Sequence, residues 1–219
     1  MNNIVIFGSG GHSKVIIDIV EKMGIYNITG LIDGSKEAGT EVLGYKVLGG
    51  LNVLKEMDED IHGGIVAVGD NWRRYQTVQS IKNVRESFNF ISAIHPSAVI
   101  GKNITIAEGT VVMANAVINP DTTVGSHCII NTKSSVDHDC RIGNFVTVAP
   151  GATLAGTVKI GDHSVISLGA NVIHNLSIGE HSVIGAGYTV LKNIDAYTVA
   201  YGSPAKEIRK RVLGDKFFK

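Results

Sequence analysis

The run Asp137-His138-Asp139 joins residue types that can do acid–base work. Histidine has an ordinary pKa of about 6.5, so it suits removal of a proton near neutral pH. Neighbouring residues on a strand point to opposite faces, so His138 and Asp139 can touch only at a corner of the chain. A second cluster is Gly8-Ser9-Gly10-Gly11-His12-Ser13, between an apolar run and a helical pattern. The backbone N–H groups of such a turn, with the start of the helix, can hold phosphate. Asp33 follows the next apolar run, where a carboxylate can bind a ribose or a base edge. A dinucleotide would suit this pattern, but Ser13 replaces the third glycine, and only about half of a full dinucleotide fold is present. The alternative is a loop used only for the fold.

The elements around these residues fall into two halves. Ile4–Phe7 reads as a strand, and Val15, Ile16, Ile19, Val20 and Met23 recur at helical spacing before Gly24. Ile28–Ile32 is a second strand, Leu51–Met57 a short helix and Gly64–Val68 a third strand. A helix over Trp72–Val84 follows, then a short strand near Phe90–Ile91. Strands alternating with helices imply parallel pairing, here half of a doubly wound (half-Rossmann) α/β domain over residues 1–92.

From Ile94 to Val190 every sixth residue is aliphatic, without a gap. The residue four positions after each is usually small or apolar, as at Ala98, Thr110, Cys128, Ser134, Cys140, Ala152, Ser164 and Ala170. A helix cannot keep such a register on one face, whereas a parallel β-helix can, with three six-residue sides to each coil. Residues 93–219 are therefore expected to form a parallel β-helix with a C-terminal cap, and Ile208–Val212 reads as a short covering helix. Residues 18 apart then stack. His138, Gly156 and His174 share one outer column, and His127, Phe145, His163 and His181 share another. Large side chains in the second column suit a subunit contact or solvated corners; without an acidic partner at that spacing, no metal is expected there.

Hydrophobic residues make up 44% of the 219, and 20 Lys+Arg balance 20 Asp+Glu. This composition argues against disorder and leaves no global basic field for nucleic acid or an anionic membrane. The N-terminus lacks the basic flank and long apolar run of a secretory signal, and no stretch approaches the roughly 18 apolar residues of a membrane span. A cytoplasmic protein is expected, with Cys128 and Cys140 as buried thiols.

The hexad repeat, closed by Tyr201-Gly202-Ser203-Pro204-Ala205-Lys206, resembles the hexapeptide-repeat acyltransferases. The glycine-rich loop, Asp33, Gly69-Asp70-Asn71 and Val136-Asp137-His138-Asp139-Cys140 narrow the resemblance. They are similar to one subfamily, the sialic-acid O-acetyltransferases and bacillosamine-type nucleotide-aminosugar N-acetyltransferases. That resemblance implies a left-handed β-helix, a homotrimer, and acetyl-CoA as acetyl donor. It makes His138 the general base and Asp139 the acid that orients or charges its ring. Gly156, one coil from the base with His174 above it, would offer a backbone N–H to the acetyl carbonyl; the alternative is a glycine that only lets the coil turn tightly. Thr147 stands where the subfamily often has a second histidine. Lys192, Lys206 and Arg209 are candidates for the phosphates of CoA. Gly8, Gly10, Gly11 and His12 would meet a sugar-nucleotide diphosphate, with Asp33, Gly69 and Asn71 near its base. The leading expectation is N-acetylation of a UDP- or GDP-linked 4-amino-deoxysugar for surface glycans. O-acetylation of a sialic-acid-type sugar and a non-catalytic nucleotide-sugar-binding trimer are the alternatives; a nicotinamide dehydrogenase is not favoured.

Overall fold

The computed structural model describes residues 1–57 and 61–215; residues 58–60 and 216–219, assigned above to the first and second halves, lie outside the described residues. Strand β1 (Asn2–Phe7) leads through α1 (Gly11–Met23) to β2 (Tyr26–Ile32), then to the hairpin β3 (Glu41–Val42) and β4 (Tyr45–Gly49). A 3-10 turn at Leu51–Lys55, β5 (Ile61–Val66) and α2 (Asn71–Val84) complete the α/β layer. The strand order is β3-β4-β2-β1-β5, with β1 parallel to both β2 and β5. The chain therefore winds one way from β1 and returns on its other side, which opens a crevice at the carboxyl ends of β1 and β5. Ile4, Ile6, Ile16, Ile17 and Ile65 fill one side of the sheet, and Phe7, Leu54, Ile81 and Phe90 the other.

The second half is a left-handed parallel β-helix with faces of six, five and eight strands. Each coil pairs with the one 18 residues on, as Val117 with Ser135 and Ile118 with Val136. The hexad aliphatics form a continuous interior ladder from Val112 to Val190. Each fully buried side chain of this size stabilises the fold by roughly 1.5–3 kcal/mol. Corners are made by residues in the left-handed region, among them Asn103, Asp121, Asp139 and Asn175. Asn and Asp accept that conformation more readily than most residues.

Two sequence expectations are corrected. Residues 208–212 do not form a helix: Ala205–Lys210 is a strand, antiparallel to Thr198–Gly202. The exposed sheet edge supplies backbone partners that outweigh the weak helical spacing of this charged segment. The column His127, Phe145, His163, His181 is neither solvated nor open for another subunit along its length. Its rings stack at centroid spacings of 5.0, 5.1 and 4.5 Å, and Tyr197 extends the stack at 4.9 Å. Trp72, Tyr75 and Phe90 of the first half cover it edge-on or tilted.

The corner carbonyls of this column are capped by side chains from α2 and from the segment after the last strand. Arg74 donates to His127 O at 2.8 Å and Phe145 O at 3.0 Å, Asn71 donates to His163 O, and Arg211 donates to His181 O at 2.9 Å. Arg74 also donates to Val68 O, Gly69 O and Thr147 Oγ1, so all five guanidinium N–H groups are used. It is 1% exposed, and burial lowers its pKa to about 10. This guanidinium ties the loop after β5 to two corners of the β-helix.

Candidate active site

His138 stands exposed at the corner between strands Ser135–Val136 and Arg141–Ile142. Asp139 follows it with φ 59°, which bends the chain so that its Oδ2 lies 2.8 Å from His138 Nδ1. The left-handed corner thus resolves the difficulty of two adjacent residues meeting. Asp137 accepts the His138 backbone N–H and the Asn119 side-chain amide, both at 2.8 Å, so the corner is held from the coil before it. The Asp139 hydrogen bond raises the His138 pKa above its ordinary value; desolvation opposes this, and the charges of Asp137 and Asp139 add to it. With Nδ1 turned to the carboxylate, Nε2 is left to act on a substrate.

Gly156 is one coil above His138. A Cβ there would lie 2.6 Å from both His138 Cε1 and Nε2, so only glycine leaves the imidazole in place. Among the described residues the Gly156 N–H has no acceptor. A base and a free backbone donor therefore share one edge, the combination that acyl transfer requires. His174 follows on the same edge, exposed. Thr147 does not join them. It lies on the eight-stranded face, 6% exposed, with its hydroxyl accepting from Arg74 at 3.2 Å. Nine residues are half a coil, which carries the chain from the His138 corner to a different face. Lys192 and Lys206 are exposed, while Arg209 is paired with Asp215 at 2.7 Å and so offers a partly neutralised charge.

The glycine-rich turn lies at the crevice of the first half. A cleft of about 340 Å³ is lined there by Phe7, Gly8, Ile32, Asp33, Leu51 and Val68, and by Arg73, Gln76, Thr77 and Ser80 of α2. Gly8 has φ 111°, and a Cβ would lie 3.0 Å from Ala67 O, so glycine is required. Gly10 and Gly11 are exposed at the start of α1 and, unlike Gly8, are not among the residues lining the cleft. Asp33 accepts from Ser9 N at 2.9 Å, Ser9 Oγ at 2.6 Å, Ser35 N at 2.8 Å and Ser35 Oγ at 2.7 Å. Burial would raise its carboxyl, but these donors prevail and hold it at about 2. Asp33 thus fixes the two loops that form the cleft.

Three further expected ligand residues lie elsewhere. Asn71 is 1% exposed, with its amide N–H on His163 O and its carbonyl accepting Trp72 N at 3.0 Å, so it faces the β-helix and not a base. Gly69 gives its carbonyl to Arg74 at 2.9 Å and is not among the residues lining the cleft. His12 has its Nε2 buried without a partner among the described residues; burial, then the Arg74 charge, lowers its pKa to about 4. Sequence reasoning missed the α2 wall. Its signal is present, since Arg73, Gln76, Thr77 and Ser80 recur at one-face helical spacing just beyond the third strand. It also missed Lys36, whose Nζ donates to Ser9 O at 2.8 Å and places a cation at the loop.

Residues 3–81 match the family described as the PglD N-terminal domain. The chain is 35% identical over 117 residues to UDP-N-acetylbacillosamine N-acetyltransferase of Bacillus subtilis, a match that spans 52% of this chain and 52% of that protein. A variant of perosamine N-acetyltransferase from Caulobacter crescentus, solved with CoA and GDP-perosamine, superposes with a TM-score of 0.88. It is 34% identical, over 96% of this chain and 98% of that one. The acetyltransferase domain of PglB from Neisseria gonorrhoeae, solved with acetyl coenzyme A, also has a TM-score of 0.88. It is 32% identical, over 94% of this chain and 99% of that one.

Proposed function

The chain belongs to the sugar N-acetyltransferase family that includes perosamine N-acetyltransferase, and we propose that it transfers the acetyl group of acetyl-CoA to the amine of a nucleotide-linked 4-amino-deoxysugar. The observation that carries this reading is His138, paired with Asp139 and seated against a glycine that has no room for a side chain. His138 Nε2 takes a proton from the acceptor ammonium. The freed amine nitrogen attacks the thioester carbonyl carbon, and the Gly156 N–H donates to the oxyanion that forms. One such donor is worth about 3 kcal/mol in the transition state. The C–S bond then breaks and the CoA thiolate takes the proton from His138. The second proton of the new amide nitrogen passes to solvent.

The cleft supports the acceptor assignment. Arg73, Gln76, Thr77 and Ser80 on the α2 wall, opposite Gly8, offer donors and a cation that suit a diphosphate, and the walls from Phe7, Ile32 and Leu51 suit a flat base. A free sialic acid offers neither group.

The same geometry supports a homotrimer. The first half covers the N-terminal strands of the eight-stranded face and the edge bearing His127 and His163. His138 is on another edge of the same coil, between the six- and five-stranded faces. A sugar held in one chain's cleft meets a His138 most directly on a neighbouring chain. The acetyl-CoA is placed along the β-helix near His174, with Lys192 and Lys206 toward its phosphates. The cytoplasm is the proposed location, since it supplies acetyl-CoA and nucleotide sugars; among the described residues no helix is long and apolar enough to cross a membrane.

The test is thiol release from acetyl-CoA with GDP-perosamine, its UDP-linked counterpart and free sialic acid as acceptors. Turnover of a nucleotide-linked amine supports the reading. Turnover of the free sugar, uninhibited by UDP or GDP, replaces it with O-acetylation.

A further inference from the structure

The interior of the β-helix carries a set of donors. Thr110, Thr122, Cys128, Cys140 and Ser164 point inward, and each donates to a carbonyl 15 residues on. Two of those carbonyls belong to the peptides of the candidate active site. Thr122 Oγ1 donates to Asp137 O at 2.8 Å, and that carbonyl shares its peptide with the His138 N–H. Cys140 Sγ donates to Ala155 O at 3.3 Å, and that carbonyl shares its peptide with the Gly156 N–H. The two supports are linked, since Cys140 N donates to Thr122 Oγ1 at 3.1 Å.

We propose that Cys140 is a positioning residue, whose buried thiol fixes and polarises the peptide that offers the Gly156 N–H to the oxyanion. This rests on reading Gly156 as the oxyanion donor. A carbonyl that accepts a hydrogen bond withdraws charge along its peptide, and hydrogen bonds in a chain strengthen one another. A thiol is a weak donor, but at 0% exposure it has no water to compete with. The bond also fixes the direction of the N–H, and preorganised direction is what an oxyanion donor needs.

The sequence offers a substitution that the fold accepts. Ala98, Ala116, Ala152 and Ala170 occupy the same hexad position as Cys140, and Val146 and Val158 do so too. Cys140→Ala in the full trimer, assayed with acetyl-CoA and whichever of GDP-perosamine or its UDP-linked counterpart the wild type acetylates faster, should lose about 3–10-fold in kcat. This is a fraction of the 10²–10³ attributed to losing an oxyanion donor outright. Both KM values and the acid limb of the pH profile should stay unchanged, because His138 and its partners are untouched. Cys140→Val should show the same loss, and Cys140→Ser should keep kcat within about twofold of wild type. Cys128→Ala removes the matching bond to Gly143 O, remote from His138, and should leave kcat within about twofold. Wild-type kcat in Cys140→Ala and Cys140→Val, or an equal loss in Cys128→Ala, overturns the proposal. Activity surviving in His138→Ala overturns the catalytic reading instead, so the two failures are distinguishable.

Discussion

Gly156→Ala should abolish most activity while leaving the fold intact. The added Cβ would lie 2.6 Å from His138 Cε1 and Nε2, closer than real Cβ contacts come, so one group must move. Gly156 has no positive φ, so alanine fits its backbone, and the exposed imidazole is the part free to yield. Swinging the ring into solvent breaks its 2.8 Å bond to Asp139, but that pair is solvent-exposed and screened, and such pairs add little to stability. Stability should therefore change little. The displacement costs far more in rate, because a base moved from reach of its proton loses its contribution of about 10²–10⁴. The assay is steady-state thiol release with matched thermal melts. A variant with unchanged melting temperature and kcat reduced at least a hundredfold supports the arrangement. Retention of more than half the wild-type kcat refutes the placement of base and donor.

Other perturbations bear on separate parts of the account. His138→Ala should lower kcat by about 10²–10⁴ with the oligomeric state unchanged from wild type, read by kinetics and light scattering. Asp139→Asn should do less damage and move the acid limb of kcat/KM to lower pH. The carboxylate raises the His138 pKa and so keeps the ring protonated, and inactive as a base, up to a higher pH. Asp33→Ala frees Ser9 and Ser35, so the KM for the sugar nucleotide should rise several-fold while that for acetyl-CoA is unchanged; the reverse pattern contradicts the assignment of the cleft. Acid should destabilise the contact between the halves. Burial, then the charges of Arg74 and Lys82, lowers His127 to about 3, while the unfolded chain titrates near 6.5. The unfolded state then binds more protons below 6.5, and stability falls as pH drops from there toward 3. At pH 5 His127 alone accounts for about 2 kcal/mol. Melts at pH 7 and pH 5 should differ by several degrees; equal melting temperatures contradict the buried stack.

The β-helix was legible because its signal is local and repeated: a side chain every sixth residue either fills the interior or does not. The column arithmetic that joined His138 to Gly156 follows from the same period. That period does not say which edge the first half covers, so the ring stack beneath Trp72 and Tyr75 was read as solvent or subunit surface. Asn71 was misplaced for a related reason, since spacing puts it after a strand end but does not aim its side chain. The β3–β4 hairpin gave no warning because its turn is Leu43-Gly44, with Leu43 at φ 48°, in place of the Asn-Gly or Asp-Gly pair that marks such turns. The strand over Ala205–Lys210 exists because a sheet edge is there to receive it, a fact of tertiary structure that its own residues do not carry.

The central claim is that His138 deprotonates an amine on a nucleotide-linked sugar. The most direct measurement incubates the purified protein and its His138→Ala variant with acetyl-CoA and GDP-perosamine or its UDP-linked counterpart, and follows free thiol together with the mass of the sugar product. Thiol release should be matched by a single added acetyl group on the sugar nitrogen, and both should be lost in the variant. Acetyl groups found on a hydroxyl, or undiminished transfer by His138→Ala, would contradict the claim.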